Sequence, residues 1–246
     1  KRLEAKDALL SPFAVKNVQL VGRASSEEGL IGYTDFQLDR NRIVHSNSFR
    51  RLKHKTQVFI APHGDHYVTR LTHTLEVAEV SRAIARGLNL NEDLCEAIAL
   101  GHDLGHTPFG HVGEDELNRI YPGGFKHSEQ SLRIVESLEN NAKGLNLTWE
   151  VKQGIVHHSK ARGDFFDASA LKGLNIESQV CCISDAIAYI NHDIGDAIRA
   201  DIFDETDLPD EVRVLGQGPE RLRAMISDII SGSWDCSGER DLEKGV

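Results

Sequence analysis

Residues 97–114 constrain this chain more than any other stretch. They read Ala-Ile-Ala-Leu-Gly-His-Asp-Leu-Gly-His-Thr-Pro-Phe-Gly-His-Val-Gly-Glu, a small apolar helical run that passes straight into imidazoles and carboxylates. An isolated pair such as His102-Asp103 is common and carries little by itself. It gains weight from His73, upstream on one amphipathic segment, and Asp185, downstream on another. Two imidazoles and two carboxylates on separate helices form a mixed nitrogen and oxygen donor set for one divalent metal, with positions left for water or phosphate. Without such a role, ligand-type side chains at the ends of apolar helices would be desolvated at high cost. The set holds no thiolate, unlike most structural zinc sites. It suits Mn, Mg, Fe, Ni or Zn, and the sequence does not choose among them.

A chain of 246 residues fits a single large domain or one domain with an appendage. Cys95, Cys181, Cys182 and Cys236 contain no CxxC pair, so a reducing, cytoplasmic setting is expected. No apolar run is long enough to span a membrane and no signal peptide is visible. The chain starts at Lys1 without a methionine, which suggests a piece of a longer protein. The net charge of −10 argues against a general nucleic-acid-binding surface, but it hides an asymmetry. Between residues 40 and 70, Arg40, Arg42, Arg50, Arg51, Lys53, Lys55 and Arg70 face a single acid, Asp65. From Asp201 onward the balance reverses. Because the basic segment directly precedes the metal-ligand candidates, a phosphate-bearing substrate would unite the two.

The pattern reads as all-α: a helical bundle with a single metal site. Residues 1–32 form an irregular lead-in, 33–200 the main domain, and 201–246 an acidic C-terminal segment, the start of a helical extension. Thr34 and Gln37 have the spacing of a capping box, opening a helix that carries Phe36, Ile43, Phe49 and Leu52 inward. Pro62-His63-Gly64-Asp65 is a turn. Leu71, Leu75, Ala78 and Ala85 have helical period up to Gly87, and Asn91 caps a helix that runs to about Asp103. Gly105, Pro108 and Gly110 break that helix and leave His106 and His111 on a loop. Ser128 and Thr148 start further helices, the second reaching His157-His158. Residues 177–200 are a long helix, and one short helix follows Glu220.

His111 and Glu114 are three apart and share a face of any helical turn. A carboxylate beside an imidazole fixes its tautomer and raises its basicity, as a general acid needs. His106, four after His102, can reach the same cavity, and His127 can join it from the next helix. On the long helix Asp185, Tyr189 and Asp193 share one face. His45, His54, His63, His66, His157, His158 and His192 read as ordinary.

Taken together, Thr34–Ile43, Phe49–Phe59, Arg70–Ala78, His102–Glu114, Phe125–Ser131 and Asp185–Asp193 resemble the HD superfamily of metal-dependent phosphohydrolases. Within it they are most similar to the deoxyguanosine triphosphate triphosphohydrolase family, over about residues 33–200. The resemblance implies one catalytic metal on His73, His102, Asp103 and Asp185, and Arg70 on the α-phosphate. It places His106, His127 and Arg51 around the phosphates, with His127 also in the catalytic group. Gln57 and Asp193 would recognise the 3′-hydroxyl, while Tyr189 packs under the deoxyribose and disfavours a 2′-hydroxyl. His111, oriented by Glu114, would be the general acid for the 5′-oxygen. Family members release whole triphosphate from a deoxynucleoside triphosphate and are generally homo-oligomers; they continue with further helices beyond the region matched here. Two other readings stay open: an HD phosphohydrolase acting on nucleoside monophosphates or cyclic nucleotides, and a catalytically silent nucleotide-sensing module.

Overall fold

The computed structural model describes residues 2–59, 66–159, 171 and 173–234, the side chains of residues 2 and 3 excepted. The expected turn at 62–65 and Cys236 lie outside the described residues. Among those described there is no strand, only isolated bridges between Arg23 and Thr148 and between Thr56 and Thr69. The helices are α1 (Arg2–Asp7), α2 (Asp35–Val44), α3 (Asn47–Arg51), α4 (Arg70–Gly87), α5 (Glu92–Gly101), α6 (Gly110–Ile120), α7 (His127–Arg133), α8 (Trp149–His157), α9 (Ile176–Arg199), α10 (Asp210–Arg213) and α11 (Pro219–Trp234). No described helix is long and apolar enough to cross a membrane.

The centre of the bundle is α5, which contacts α2, α4, α8 and α9. Its Leu94, Ala97, Ile98 and Ala99 are fully buried. At the crossing with α8, a side chain on Gly154 would run into Ile98, its Cβ 2.4 Å from Ile98 Cδ1. That close approach brings the C-terminal end of α8 against the end of α5, where His102 and Asp103 follow.

Local chemistry sets the helix ends. Thr34 caps α2 in the expected capping box with Gln37, and Phe36, Ile43, Phe49 and Leu52 are all buried. The single helix expected there is two, because Ser46 takes extended backbone and caps α3 through the Phe49 amide. Asn91 caps α5 by accepting from the Leu94 amide at 3.3 Å. In α4 the expected apolar stripe holds at Ala78 and Ala85, which are buried, but Leu75 is 51% exposed, and Val77, Val80, Ser81 and Ile84 complete the buried face. His111 lies in the first turn of α6, not on a loop. The lead-in is not wholly irregular, since it holds α1. The helix after Gly218 is longer than expected, and Trp234 Nε1 at its end donates to the Gly87 carbonyl at 3.0 Å.

Buried acids tie the lead-in to the bundle. Glu177 Oε1 accepts from the Val15 amide at 2.9 Å and the Asn91 amide at 3.1 Å. Asp39 accepts from the Thr148 amide at 2.8 Å and hydroxyl at 2.6 Å, and its other oxygen pairs with Arg23. Arg23 in turn donates to the Asn146 carbonyl at 2.6 Å. Both members of the Asp39–Arg23 pair are desolvated, their side chains 0% and 6% exposed. Arg23 also holds Asp35 at 3.1 Å, so losing Asp39 removes its fully buried partner and leaves the Thr148 amide and hydroxyl without their acceptor. Asp39→Ala should therefore lower unfolding free energy by about 3–5 kcal/mol, read by urea titration; a loss below about 1 kcal/mol would show that Asp35 alone compensates Arg23.

Candidate active site

The start of α4, the turn after α5, the starts of α6 and α7, the end of α8 and the middle of α9 meet at the site. Thr69 caps α4 through the Thr72 amide, and its own amide donates to Thr72 Oγ1 at 2.8 Å. The Arg70 amide donates to the Lys55 carbonyl at 3.0 Å, and the Val68 amide to Asp196 Oδ2 on α9 at 3.1 Å. These bonds fix the first turn of α4 so that Arg70 and His73, three apart, both point inward; they are 4% and 1% exposed. After α5, Gly105 lies so close to α7 that a Cβ there would stand 2.3 Å from the Ser131 amide nitrogen. Ser131 Oγ clamps the turn, accepting from the Gly105 amide at 2.9 Å and donating to the His102 carbonyl at 2.6 Å.

His73, His102, Asp103 and Asp185 converge as expected. Asp185 Oδ1 is 3.0 Å from His73 Nε2 and 3.8 Å from His102 Nε2; Asp103 Oδ2 is 3.9 Å and 3.5 Å from the same two nitrogens. Donors each about 2.0–2.2 Å from a shared ion lie roughly 3 Å or more from one another, so the spacing fits a coordinated ion. The tautomer of His102 fits too. Its Nδ1 is 2.6 Å from the Ala99 carbonyl, so that nitrogen carries the proton and Nε2 keeps a lone pair, buried and without a hydrogen-bond partner. An orphaned lone pair aimed at two carboxylates is what a metal ligand requires.

Burial alone would raise the pKa of Asp103, but His102, Arg70, His106 and His73 outweigh it and hold the carboxyl well below its usual range. Asp185 is likewise held low: burial alone would raise it, but the imidazoles of His73 and His102 that face it outweigh burial. Burial pushes His73 down and keeps it neutral, the form that can ligate.

Arg70 donates from Nη1 to Asp103 Oδ2 at 2.8 Å, and its Nε is buried without a partner. Other members of the basic segment are used structurally. Arg40 pairs with Glu96 at 2.8 Å, and Arg42 grips Glu27 at 2.7 and 2.8 Å. Arg40 and Arg42 are thus taken up by local acids, whereas Arg70 and Arg51 of the same segment stay beside the site. Arg51 is exposed and lines, with Lys55 and His106, a cavity of about 260 Å³ beside the turn. Gln57 is 4% exposed with Oε1 unpartnered, its carbonyl beside Gly110.

A second cluster adjoins the first. Glu114 Oε1 accepts from the His127 amide at 2.7 Å and Nδ1 at 2.8 Å, while Oε2 lies 3.3 Å from His111 Nδ1. Burial would raise Glu114, but the hydrogen bonds from His111 and His127 hold it well below the usual carboxylate range. His111 is 51% exposed and so is the member that reaches solvent. His127 is engaged on both sides, its Nε2 3.0 Å from His158 Nε2. The Ile155 carbonyl, 2.7 Å from His158 Nδ1, leaves His158 only a lone pair on Nε2, so His127 donates there as well as to Glu114. Burial pushes His158 and His106 down to about 3. His106 Nε2 is buried without a partner, and its ring stacks on His127 at 4.6 Å.

Two histidines that read as ordinary in the sequence belong to the site. His158 stacks edge-on to His102 at 4.9 Å, and His192 Nε2 is 2.9 Å from His73 Nδ1. The two clusters thereby form one run of imidazoles, His192–His73–His102–His158–His127–His106–His111, with neighbouring centroids 4.6 to 5.5 Å apart. His192 had a readable signal, lying two turns after Asp185 on the same helix face. His158 had none, since only the α5–α8 crossing brings it in. Tyr189 is 37% exposed, and its hydroxyl is pushed up by burial and by the adjacent Asp193 carboxylate.

The HD domain model matches residues 70–190. The chain is 59% identical over 232 residues to a deoxyguanosinetriphosphate triphosphohydrolase-like protein of Caldanaerobacter subterraneus, covering 94% of this chain and 66% of the relative. A protein of the same name from Desulfatibacillum aliphaticivorans is 52% identical, with 94% and 66% covered. Another from Clostridium tetani is 49% identical, with 100% and 70% covered. The chain thus spans just under two thirds of the length of the first two relatives. The domain match contains all four metal-site residues, and chains this similar share a fold, so the protein belongs to the HD-domain family, among its deoxyguanosinetriphosphate triphosphohydrolase-like members.

Proposed function

We propose that the protein hydrolyses deoxynucleoside triphosphates, releasing a deoxynucleoside and intact triphosphate. The observation that carries this reading is the adjacency of two chemically different clusters, a metal-type donor set and a carboxylate-oriented, solvent-reaching histidine, bridged by Arg70 and His106. The names of the relatives supply the substrate class.

His73, His102, Asp103 and Asp185 would hold one divalent ion. Bound there, it supplies Lewis-acid polarisation of a phosphoryl oxygen and lowers the pKa of water. Arg70 orients the α-phosphoryl group: with Nη1 on Asp103, its remaining donors are free for phosphate oxygens. His106 and Arg51 line the route for the remaining phosphates. As water adds to the α-phosphorus, the bond from phosphorus to O5′ breaks. His111 gives its proton to O5′, and Glu114 stabilises the imidazole in the donating orientation. His127, held by Glu114 and His158, supports that carboxylate from its other oxygen. At the sugar end, Gln57 and Asp193 are the acceptors for a 3′-hydroxyl and Tyr189 closes the space of a 2′-hydroxyl.

Asp103→Ala should abolish both stoichiometric metal and hydrolysis, because the ion loses a ligand and a neutralising carboxylate; metal analysis checks this, with circular dichroism to show that the variant is folded, and a fully loaded, folded variant would remove the site. His111→Ala should lower kcat by about 10²–10⁴-fold at unchanged metal content, whereas unchanged kcat would make His111 a bystander. A site built around a hydroxyl discriminates against an analogue lacking it, because its own polar groups are left unpaired. A 2′,3′-dideoxynucleotide should therefore turn over at least about tenfold more slowly than the 2′-deoxynucleotide, with triphosphate the sole phosphorus product by chromatography. Equal turnover of ribonucleotides, or release of pyrophosphate or orthophosphate, would instead favour a general HD phosphohydrolase.

A further inference from the structure

We propose that His192, backed by Asp193, is a positioning residue that holds His73 in the tautomer and orientation of a metal ligand. His73 Nε2 faces the carboxylates of Asp185 and Asp103, which leaves Nδ1 on the far side of a ring only 1% exposed. A ligating imidazole normally gives that second N–H to a carbonyl or carboxylate, fixing ring and tautomer together. His102 does so with the Ala99 carbonyl. His73 has a different partner. Its Nδ1 is 2.9 Å from His192 Nε2, the two rings meeting edge to face at 85° with centroids 5.1 Å apart.

An imidazole can accept at Nε2 only if its own proton sits on Nδ1. His192 Nδ1 is 2.9 Å from Asp193 Oδ1, and the carboxylate favours a proton on that nitrogen. The contact lies off the axis of a good hydrogen bond, so it acts mainly by charge. The chain of donors is then His73 Nδ1–H to His192 Nε2, and His192 Nδ1–H toward Asp193, leaving the lone pair of His73 Nε2 for the ion. His192 is itself 6% exposed and has no other hydrogen-bonding partner among the described residues. Asp193, the proposed acceptor for the sugar hydroxyl, thereby sits at one end of a relay whose other end is the metal.

The inference rests on the four donors being metal ligands and is independent of the nucleotide substrate. Zn²⁺ affinity is measured by chelator competition, without nucleotide, on wild type, His192→Phe and His192→Gln. His192→Phe keeps a ring of similar size but cannot accept, and should weaken Zn²⁺ binding by about 10–100-fold. His192→Gln can accept through Oε1 and donate toward Asp193, and should regain most of that loss. Equal affinity for wild type and His192→Phe, or equal losses in the two variants, would overturn the proposal. Should the Phe variant fail to fold, ¹⁵N spectra of the imidazoles in zinc-loaded wild type decide: His192 protonated on Nδ1 alone supports the relay, and on Nε2 refutes it. Wild type that binds no divalent ion would sink the metal reading as well.

Discussion

The arrangement depends on keeping one carboxylate, Asp103, ionised in the interior. It is 2% exposed, and a buried anion is tolerated only when paired and hydrogen-bonded. Arg70 meets Oδ2 directly, and the Nε2 atoms of His73 and His102 face the same oxygen. Each of these partners needs support of its own, and that support is the fold. Arg70 and His73 require a capped α4 start tied to α9 through Asp196. His102 requires the turn after α5 to be clamped on Ser131 and Gly105. Loss of the Asp103 charge would leave Arg70 as an uncompensated buried cation, so site and core are energetically one unit.

Around that anion the histidines are divided by what their second nitrogen touches. Carbonyls at Ala99 and Ile155 set the tautomers of His102 and His158. A carboxylate, Glu114, orients His111 and His127. Burial keeps His106 and His158 neutral, each pushed to about 3. Like charges packed at 5 Å in a desolvated interior would repel strongly, so a run of stacked imidazoles is stable only if most are uncharged. The carboxylates mark where charge is allowed: at the metal-type cluster and around Glu114, which meets both His111 and His127.

The same rule of satisfied buried charge holds the periphery together. The lead-in has little helical content after α1, so its backbone groups find partners elsewhere. Glu177 and Glu150 accept from the amides of Val15 and Val21, and Arg23 pairs with Asp39. Arg42, which in sequence looked like part of a phosphate-facing surface, donates to the Leu145 and Asn146 carbonyls and pairs with Glu27. A basic run read along the chain says nothing about which acids will fold back on it.

Local signals were legible in the sequence because they act over three or four residues. The capping box at Thr34 and Gln37, the cap at Asn91, the span of α4 and the long helix carrying Asp185 depend on neighbouring backbone alone. That His73, His102, Asp103 and Asp185 would converge was legible for a similar reason, since polar side chains at the ends of apolar helices stand out against their surroundings. On α4, Ala78 and Ala85 face inward as the period suggests but Leu75 does not, because it matches that period as well as Val77 and Val80 do, and only the positions of α5 and α9 decide which stripe is covered. His158 was invisible because its role arises where α8 crosses α5 over Gly154, a contact between residues far apart in the chain. His192 shared a face with Asp185, but its meaning required knowing that His73 would turn Nδ1 toward it. The sequence determined which residues could bear the chemistry. Tertiary structure alone decided which nitrogen of each imidazole is free, because that is fixed by the carbonyl, carboxylate or ring that packing places against the other one.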